Sequence, residues 1–250
     1  MSGHSKWAGI KHKKALIDAK KGKVFTKVIK EITMAARHGG GSVDANPSLR
    51  TAVAKAKEAN MPSDNIERAI KRGTGELPGV TYEEVTYEGY GPGGIAILIE
   101  VVTDNKNRTT AEVRALLSKK GGNLAGAGSV SWLFHKKGFI VIDKKDVEED
   151  KLMNIVLESG AEDMTQSDSY YEITTPPKDF EAVKKSLEDN KILWQSAEIT
   201  MIPSSHVKLT ERSAAQQVLG LVDSLEEHDD VQNVYANFDM PDDLMKEAAA

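Results

Sequence analysis

The sequence predicts an α+β protein of several domains: an N-terminal three-helix bundle, then an α+β domain, with a ferredoxin-like α+β domain inserted into it. Three observations predict this. Apolar residues in the first third recur at helical spacing and are cut into short runs by glycine and proline. Beyond residue 80 the period changes to that of strands. A middle block then reads in the order β-α-β-β-α-β, the split βαβ pattern. The domains expected are residues 1–78, residues 79–133 together with 204–245, and the insertion at 134–203.

The elements follow in order. Residues 1–22 read as a charged arm punctuated by glycine. A helix from about Val24 to Arg37 carries Val24, Phe25, Val28, Ile29, Ile32 and Ala36 on one stripe and ends at Gly39-Gly40-Gly41. Asn46-Pro47 opens a second helix, as a cap followed by proline in the first turn. It would bury Leu49, Ala52, Val53 and Ala56. A third helix begins near Ser63 or Asp64, faces inward with Ile66, Ala69 and Ile70, and stops at Gly73. Each face is small, so each helix needs the other two for cover.

Tyr82–Tyr90 and Ile95–Val102 read as a hairpin across the loop Gly89-Tyr90-Gly91-Pro92-Gly93-Gly94. The next helix has Thr109 and Glu112 at capping-box spacing and buries Val113, Leu116 and Leu117. In the insertion, a strand over Phe139–Ile142 leads to a helix capped by Asp146. Strands near Glu162–Thr165 and Tyr170–Thr174 follow, then a helix started by Pro176-Pro177 and a strand over Ala197–Ile202. The tail adds a helix with Ser213 and Gln216 as capping box, and a strand alternating Val234, Ala236 and Phe238. Neither the hairpin with its helix nor the tail closes a core alone. Joined, they do.

Composition bounds the function. With 250 residues, 40% apolar and 28% charged, the chain is an ordinary globular one long enough for two or three small domains. It has no cysteine, which excludes disulfides, thiolate metal sites, iron–sulfur clusters and thiol nucleophiles. No run approaches the roughly eighteen apolar residues of a membrane span. No signal-peptide core follows the basic start, and lysine rather than arginine supplies its charge, unlike a transit peptide. A cytoplasmic protein is expected.

The familiar chemical motifs fail on context. Gly89 to Gly94 fits G-x-G-x-x-G, but a strand follows it where a dinucleotide site needs a helix N-terminus. Histidines 4, 12, 38, 135, 206 and 228 form no H-x-x-x-H pair, so a metal site could arise only by tertiary proximity. No G-x-S-x-G elbow is present. Acids such as Glu148-Glu149-Asp150 and Glu226-Glu227 read as solvated helix ends. No catalytic residue, metal or cofactor is expected. An enzyme would need a pocket assembled by the fold, holding acids or histidines of shifted pKa.

Charge is distributed unevenly. The first thirty-eight residues hold ten lysines and arginines against two acids, in a chain of net charge −5. Residues 1–75 hold sixteen cations and six acids; the remainder holds 17 and 32. A basic end on an acidic body is the footprint of a polyanion-binding surface. The candidate nucleic-acid contacts are His4, Lys6, Trp7, Lys11, His12, Lys13, Lys14, Lys20, Lys21, Lys23 and Lys27. Lysines on an arm and one helix make point-charge contacts to phosphate, while Trp7 can stack on a base and the two histidines can donate hydrogen bonds. In the loop Thr103–Thr109, turn chemistry accounts for most residues. Lys106 and Arg108, beside helix N–H groups, are secondary phosphate candidates.

Several stretches are similar to the YebC/PmpR family. They are Gly3-His4-Ser5-Lys6-Trp7, Ile10-Lys11-His12-Lys13-Lys14-Ala15, Asp18-Ala19-Lys20-Lys21-Gly22-Lys23 and Phe25-Thr26-Lys27. The likeness continues through Asp44-Ala45-Asn46-Pro47, Asn60-Met61-Pro62, Asn65–Ile70, Gly73-Thr74-Gly75, Tyr87–Gly94, Thr103-Asp104-Asn105, Asn107-Arg108-Thr109, Gly121–Leu124 and Asn233–Asn237. Gly9, where the family pattern has asparagine, and the loop Ala125–Gly128 depart from it. The resemblance implies the three-domain architecture above. It implies either a cytoplasmic DNA-binding transcriptional regulator, or a ribosome-associated factor meeting ribosomal RNA and relieving stalling on proline-rich nascent chains. A mitochondrial relative is described as a translational activator. A nucleic-acid partner, no membrane and no small-molecule substrate are implied in every case.

Overall fold

The computed structural model describes residues 21–167, 169–241 and 244. Helix α1 (Lys21–Gly39) packs with α2 (Pro47–Glu58) and α3 (Ser63–Gly73) around a core of Val28, Ile32, Ala36, Leu49, Val53, Met61, Ile66 and small alanines. Asn46 ties two of these helices together. Its Oδ1 accepts the Leu49 N–H at 3.1 Å to cap α2. Its Nδ2 donates to the carbonyls of Ala35 and Gly40 at 2.8 and 2.9 Å, satisfying the end of α1. At Gly73 the chain passes so near α1 that a Cβ would meet the Thr33 carbonyl and the Ala36 methyl. The bundle closes there because glycine has no side chain.

The second unit is a four-stranded sheet whose neighbours are all antiparallel, in the order Asn123–Ala125, Glu83–Tyr90, Ala96–Thr103, Val231–Ala236. Its strands are β1 (Glu83–Tyr90), β2 (Ala96–Thr103), β3 (Asn123–Ala125) and β9 (Val231–Ala236). The hairpin register runs from Glu83 opposite Thr103 to Tyr90 opposite Ala96. Helices α4 (Lys106–Lys119) and α7 (Arg212–Glu226) cover one face, over Ile97, Ile99, Val101, Val113, Leu117, Leu219, Val222 and Val234. The other face of β2 is also buried: Ala96 and Leu98 pack with Val130, Leu133 and Phe134. Cover on both faces is why β2 is a continuous apolar run instead of an alternating one. β8 (Val207–Lys208) and β10 (Phe238–Asp239) make a short parallel pair beside it.

The third unit runs β4 (Phe134–Asp143), α5 (Glu149–Glu158), β5 (Asp163–Gln166), β6 (Tyr170–Thr175), α6 (Phe180–Asp189) and β7 (Ser196–Pro203). Its sheet order is β5-β6-β4-β7, with β4 and β5 parallel and β6 between them. That is the ferredoxin-like arrangement. Helices α5 and α6 cover one face, around Ile140, Ile142, Leu152, Val156, Ile173, Val183 and Leu187. The fold class is the one expected: α+β, with the helical region first.

Several helix starts differ from expectation. α4 begins at Lys106, capped by Asn105, whose Oδ1 accepts the Arg108 N–H at 3.1 Å. Thr109 is therefore inside the first turn and fully buried, not a cap. Asp146 ends a short 3-10 turn, and α5 starts at Glu149 without a side-chain cap. Neither α6 nor α7 uses a side-chain cap; α7 begins at Arg212, so Ser213 lies within it. Cap residues also bond well inside a first turn, so spacing alone does not rank neighbouring candidates. No described helix is long and apolar enough to cross a membrane.

Candidate nucleic-acid interface

His4, Lys6, Trp7, Lys11, His12, Lys13, Lys14 and Lys20 lie outside the described residues. Lys21 opens α1. Lys23, Lys27 and Lys30 are spaced four and three apart, so they share one face of that helix. This face meets the C-terminal end of α7. Lys23 Nζ donates to the Glu227 carbonyl at 3.1 Å, and Lys27 Nζ to the Glu226 carbonyl at 2.6 Å. Lys30 Nζ donates to the Asp229 carbonyl at 3.0 Å and to Asp230 Oδ1 at 2.5 Å. Carbonyls at a helix end lack intrahelical partners and carry partial negative charge. A lysine ladder on one domain thus completes a helix terminus on another.

Asp230 is the centre of the contact. Its Oδ2 accepts from the Thr109 hydroxyl at 2.6 Å and from Arg108 at 2.8 Å, with the Thr103 hydroxyl at 3.1 Å. Arg108 also pairs with Asp104 at 2.9 Å. Burial alone would raise the Asp230 pKa. The hydrogen bonds from Lys30, Thr109 and Arg108 outweigh it and hold the carboxyl well below its usual range. Arg108's own bonds, first to Asp230 and then to Asp104, raise its pKa. Nearby, the Asp230 N–H donates to His228 Nδ1 at 3.1 Å, which puts the proton of a neutral ring on Nε2, facing Glu112 at 2.9 Å.

These groups border a cleft of about 760 Å³ between α1, α4 and the α7–β9 turn, lined also by Tyr82 and Lys119. Asp230 is a permanent carboxylate at neutral pH and has no proton to give. Glu112, His228 and Asp230 bring ligand atoms within 4.8 Å of one another, but a divalent ion there would face Lys30 and Arg108 on the same carboxylate. The charge of Asp230 is thus already shared with two cations of the same chain.

The sequence candidates separate accordingly. Lys23, Lys27 and Arg108 all reach the domain junction, each engaged by an acceptor of the same chain. Lys106 is exposed on the first turn of α4. The helix N–H of Arg108 belongs to Asn105, which leaves the turn reading of that loop as its main role. Sequence reasoning missed Asp230, Thr103 and Thr109 as a unit. Asp230 lies just beyond Glu226-Glu227, which read as solvated, and nothing local shows that Lys30 arrives from two hundred residues away.

Comparisons with known proteins agree with this architecture. Residues 5–76 match the TACO1/YebC protein N-terminal domain, and residues 82–238 match the TACO1/YebC second and third domain. A protein of Halothermothrix orenii named "Probable transcriptional regulatory protein" is 56% identical over 249 residues, covering 99% of this chain and 98% of that one. One of the same name from Syntrophobacter fumaroxidans is 55% identical, with 100% of both chains covered. The crystal structure of a conserved hypothetical protein, Aq1575 of Aquifex aeolicus, superposes with a TM-score of 0.77 at 48% identity, covering 90% of this chain and 93% of that one. With both parts of the chain matched and relatives more than half identical along its length, the protein belongs to the TACO1/YebC family.

Proposed function

We propose that this protein is a non-enzymatic, nucleic-acid-binding regulator of gene expression, acting on DNA as a transcriptional regulator in the cytoplasm. The observation that carries the reading is charge: sixteen cations against six acids in residues 1–75, on a body with the opposite bias. The name borne by the relatives supports a regulatory role. In this reading the lysines of the arm hold phosphates and Trp7 contacts a base. The acidic domains limit indiscriminate binding. No cofactor, membrane or small-molecule substrate enters.

The test is binding to duplex DNA across a salt series. About six phosphate contacts give a slope of log K against log salt near −5, or roughly a thousandfold loss from about 50 to 200 mM. Salt-independent binding, or none, would overturn the reading.

One observation favours a second reading, a ribosome-associated translation factor. The exposed residues of α3 include Glu67, Arg68, Lys71 and Arg72 on a helix of 11 residues. Those cations can meet the phosphates of a shaped RNA as well as those of a duplex. Sedimentation through sucrose gradients separates the two readings. Salt-sensitive co-migration with ribosomes, beside weak and sequence-indifferent DNA binding, would favour the second.

A further inference from the structure

Trp132 is 66% exposed, on a one-turn 3-10 helix (Ser131–Leu133) where the two four-stranded sheets meet. Its neighbours Val130, Leu133 and Phe134 are buried against Ala96 and Leu98. The turn is held by an unusual device. Glu88 of β1 is buried, and its Oε1 accepts the Gly128 N–H at 2.7 Å while its Oε2 accepts those of Val130 and Ser131 at 2.6 and 2.9 Å. A buried carboxylate without a cation is costly unless such donors surround it. Here the donors are the backbone of the segment that carries Trp132. The indole is fastened as well: its Nε1–H donates to the Ser129 carbonyl at 3.1 Å, and the Tyr90 hydroxyl donates to the same oxygen at 3.2 Å.

Two consequences follow. The ring is held in one orientation, so a partner loses little entropy in ordering it. Its one hydrogen-bond donor is already used, so the ring can be recognised only through its face. Just after it in the chain, His135 and Lys136 of β4 are both exposed, one on each face of the strand, while the apolar Leu133 and Phe134 go inward. Lysine is depleted at protein interfaces, whereas a rigid aromatic face beside cations is how single-stranded nucleic acid is held.

We propose that Trp132 is a preformed stacking platform for an unpaired nucleobase, with His135 and Lys136 meeting the adjoining phosphates. This rests on the reading that the protein binds nucleic acid. It adds a contact about a hundred residues beyond the basic arm, and one that distinguishes single strands from duplex.

The experiment uses the full chain and fluorescence anisotropy. The probes are a labelled single-stranded RNA of about 12 nucleotides and the same strand annealed to its complement. W132A should weaken single-strand binding about tenfold, with W132F recovering most of the loss, because one base stack is removed and then largely restored. Duplex affinity and the salt slope should not change, since stacking releases no counterions. The side chain is exposed, so the thermal melt should match the wild type. Equal single-strand affinity for W132A, or an equal loss on strand and duplex, would refute the platform while leaving the functional reading intact. If the wild type binds neither probe at any salt, the platform fails, while the DNA-binding reading is decided separately by the duplex-DNA salt series.

Discussion

Lys30 of α1 and Asp230 of the turn before β9 form a buried ion pair at 2.5 Å across two hundred residues of sequence. The pair joins the helical bundle to the second unit. It is strengthened on one side by the lysine ladder and on the other by Thr109 and Arg108. The orientation of the basic bundle on the acidic body therefore rests on this carboxylate together with the carbonyls that Lys23, Lys27 and Lys30 reach.

Asp230→Ala should destabilise the protein by about 3 kcal/mol or more, because it strands Lys30 in a buried site. Lys30→Met should cost less, since Thr109 and Arg108 still satisfy Asp230. Urea unfolding measures both, and limited proteolysis of the linker at residues 74–82 should quicken in the first. Equal effects would show that the carboxylate is not the shared hub.

Acid should unfold the protein by a defined route. Burial pushes the Glu88 and Asp230 carboxyls up, but backbone N–H donors at Glu88, and Lys30, Thr109 and Arg108 at Asp230, bring both below their ordinary values. A group with a depressed folded-state pKa adds stability that is full above its unfolded value, about 4, and is lost as pH falls through the folded one. Glu88→Gln and Asp230→Asn should each flatten the fall in melting temperature below about pH 4. An unchanged acid limb in both would refute the assignment.

Asn46→Ala removes a cap and two carbonyl contacts from a buried position, so it should lower stability by about 2 kcal/mol. Asn46→Asp should recover only the capping part, because a carboxylate cannot donate to Ala35 and Gly40. Thermal melts of the two variants compare them directly.

Gly73→Ala should cost about 1–3 kcal/mol, since the added methyl meets backbone that cannot turn aside. Gly22→Ala, with open space at its Cβ, should be neutral or stabilise by about 0.5 kcal/mol. If Gly73→Ala is silent, the bundle is looser than its packing indicates.

Replacing Lys11, Lys13, Lys14, Lys20 and Lys21 with glutamine should weaken nucleic-acid binding and flatten its salt slope while the melting temperature barely moves. Lys27→Gln should instead lower the melting temperature slightly, as its ammonium holds the Glu226 carbonyl. An unchanged slope in the first variant would make those lysines ordinary surface.

The helices of the bundle were legible because their evidence is local. Asn46-Pro47 marks a start, Gly39-Gly40-Gly41 and Gly73 mark ends, and Val28, Ile32 and Ala36 mark a face. The β-α-β-β-α-β order was legible for the same reason: period and punctuation belong to neighbouring residues. Thr109 shows where that ends. At the right spacing for a capping box, it was drawn instead to Asp230, a partner that spacing cannot reveal. By itself, the sequence determined the elements, their order and the charge divided between its two ends. Tertiary structure alone decided which charges pair. A lysine and an aspartate carry no mark of their partner until packing removes the water between them, and burial is a property of the whole chain rather than of any segment.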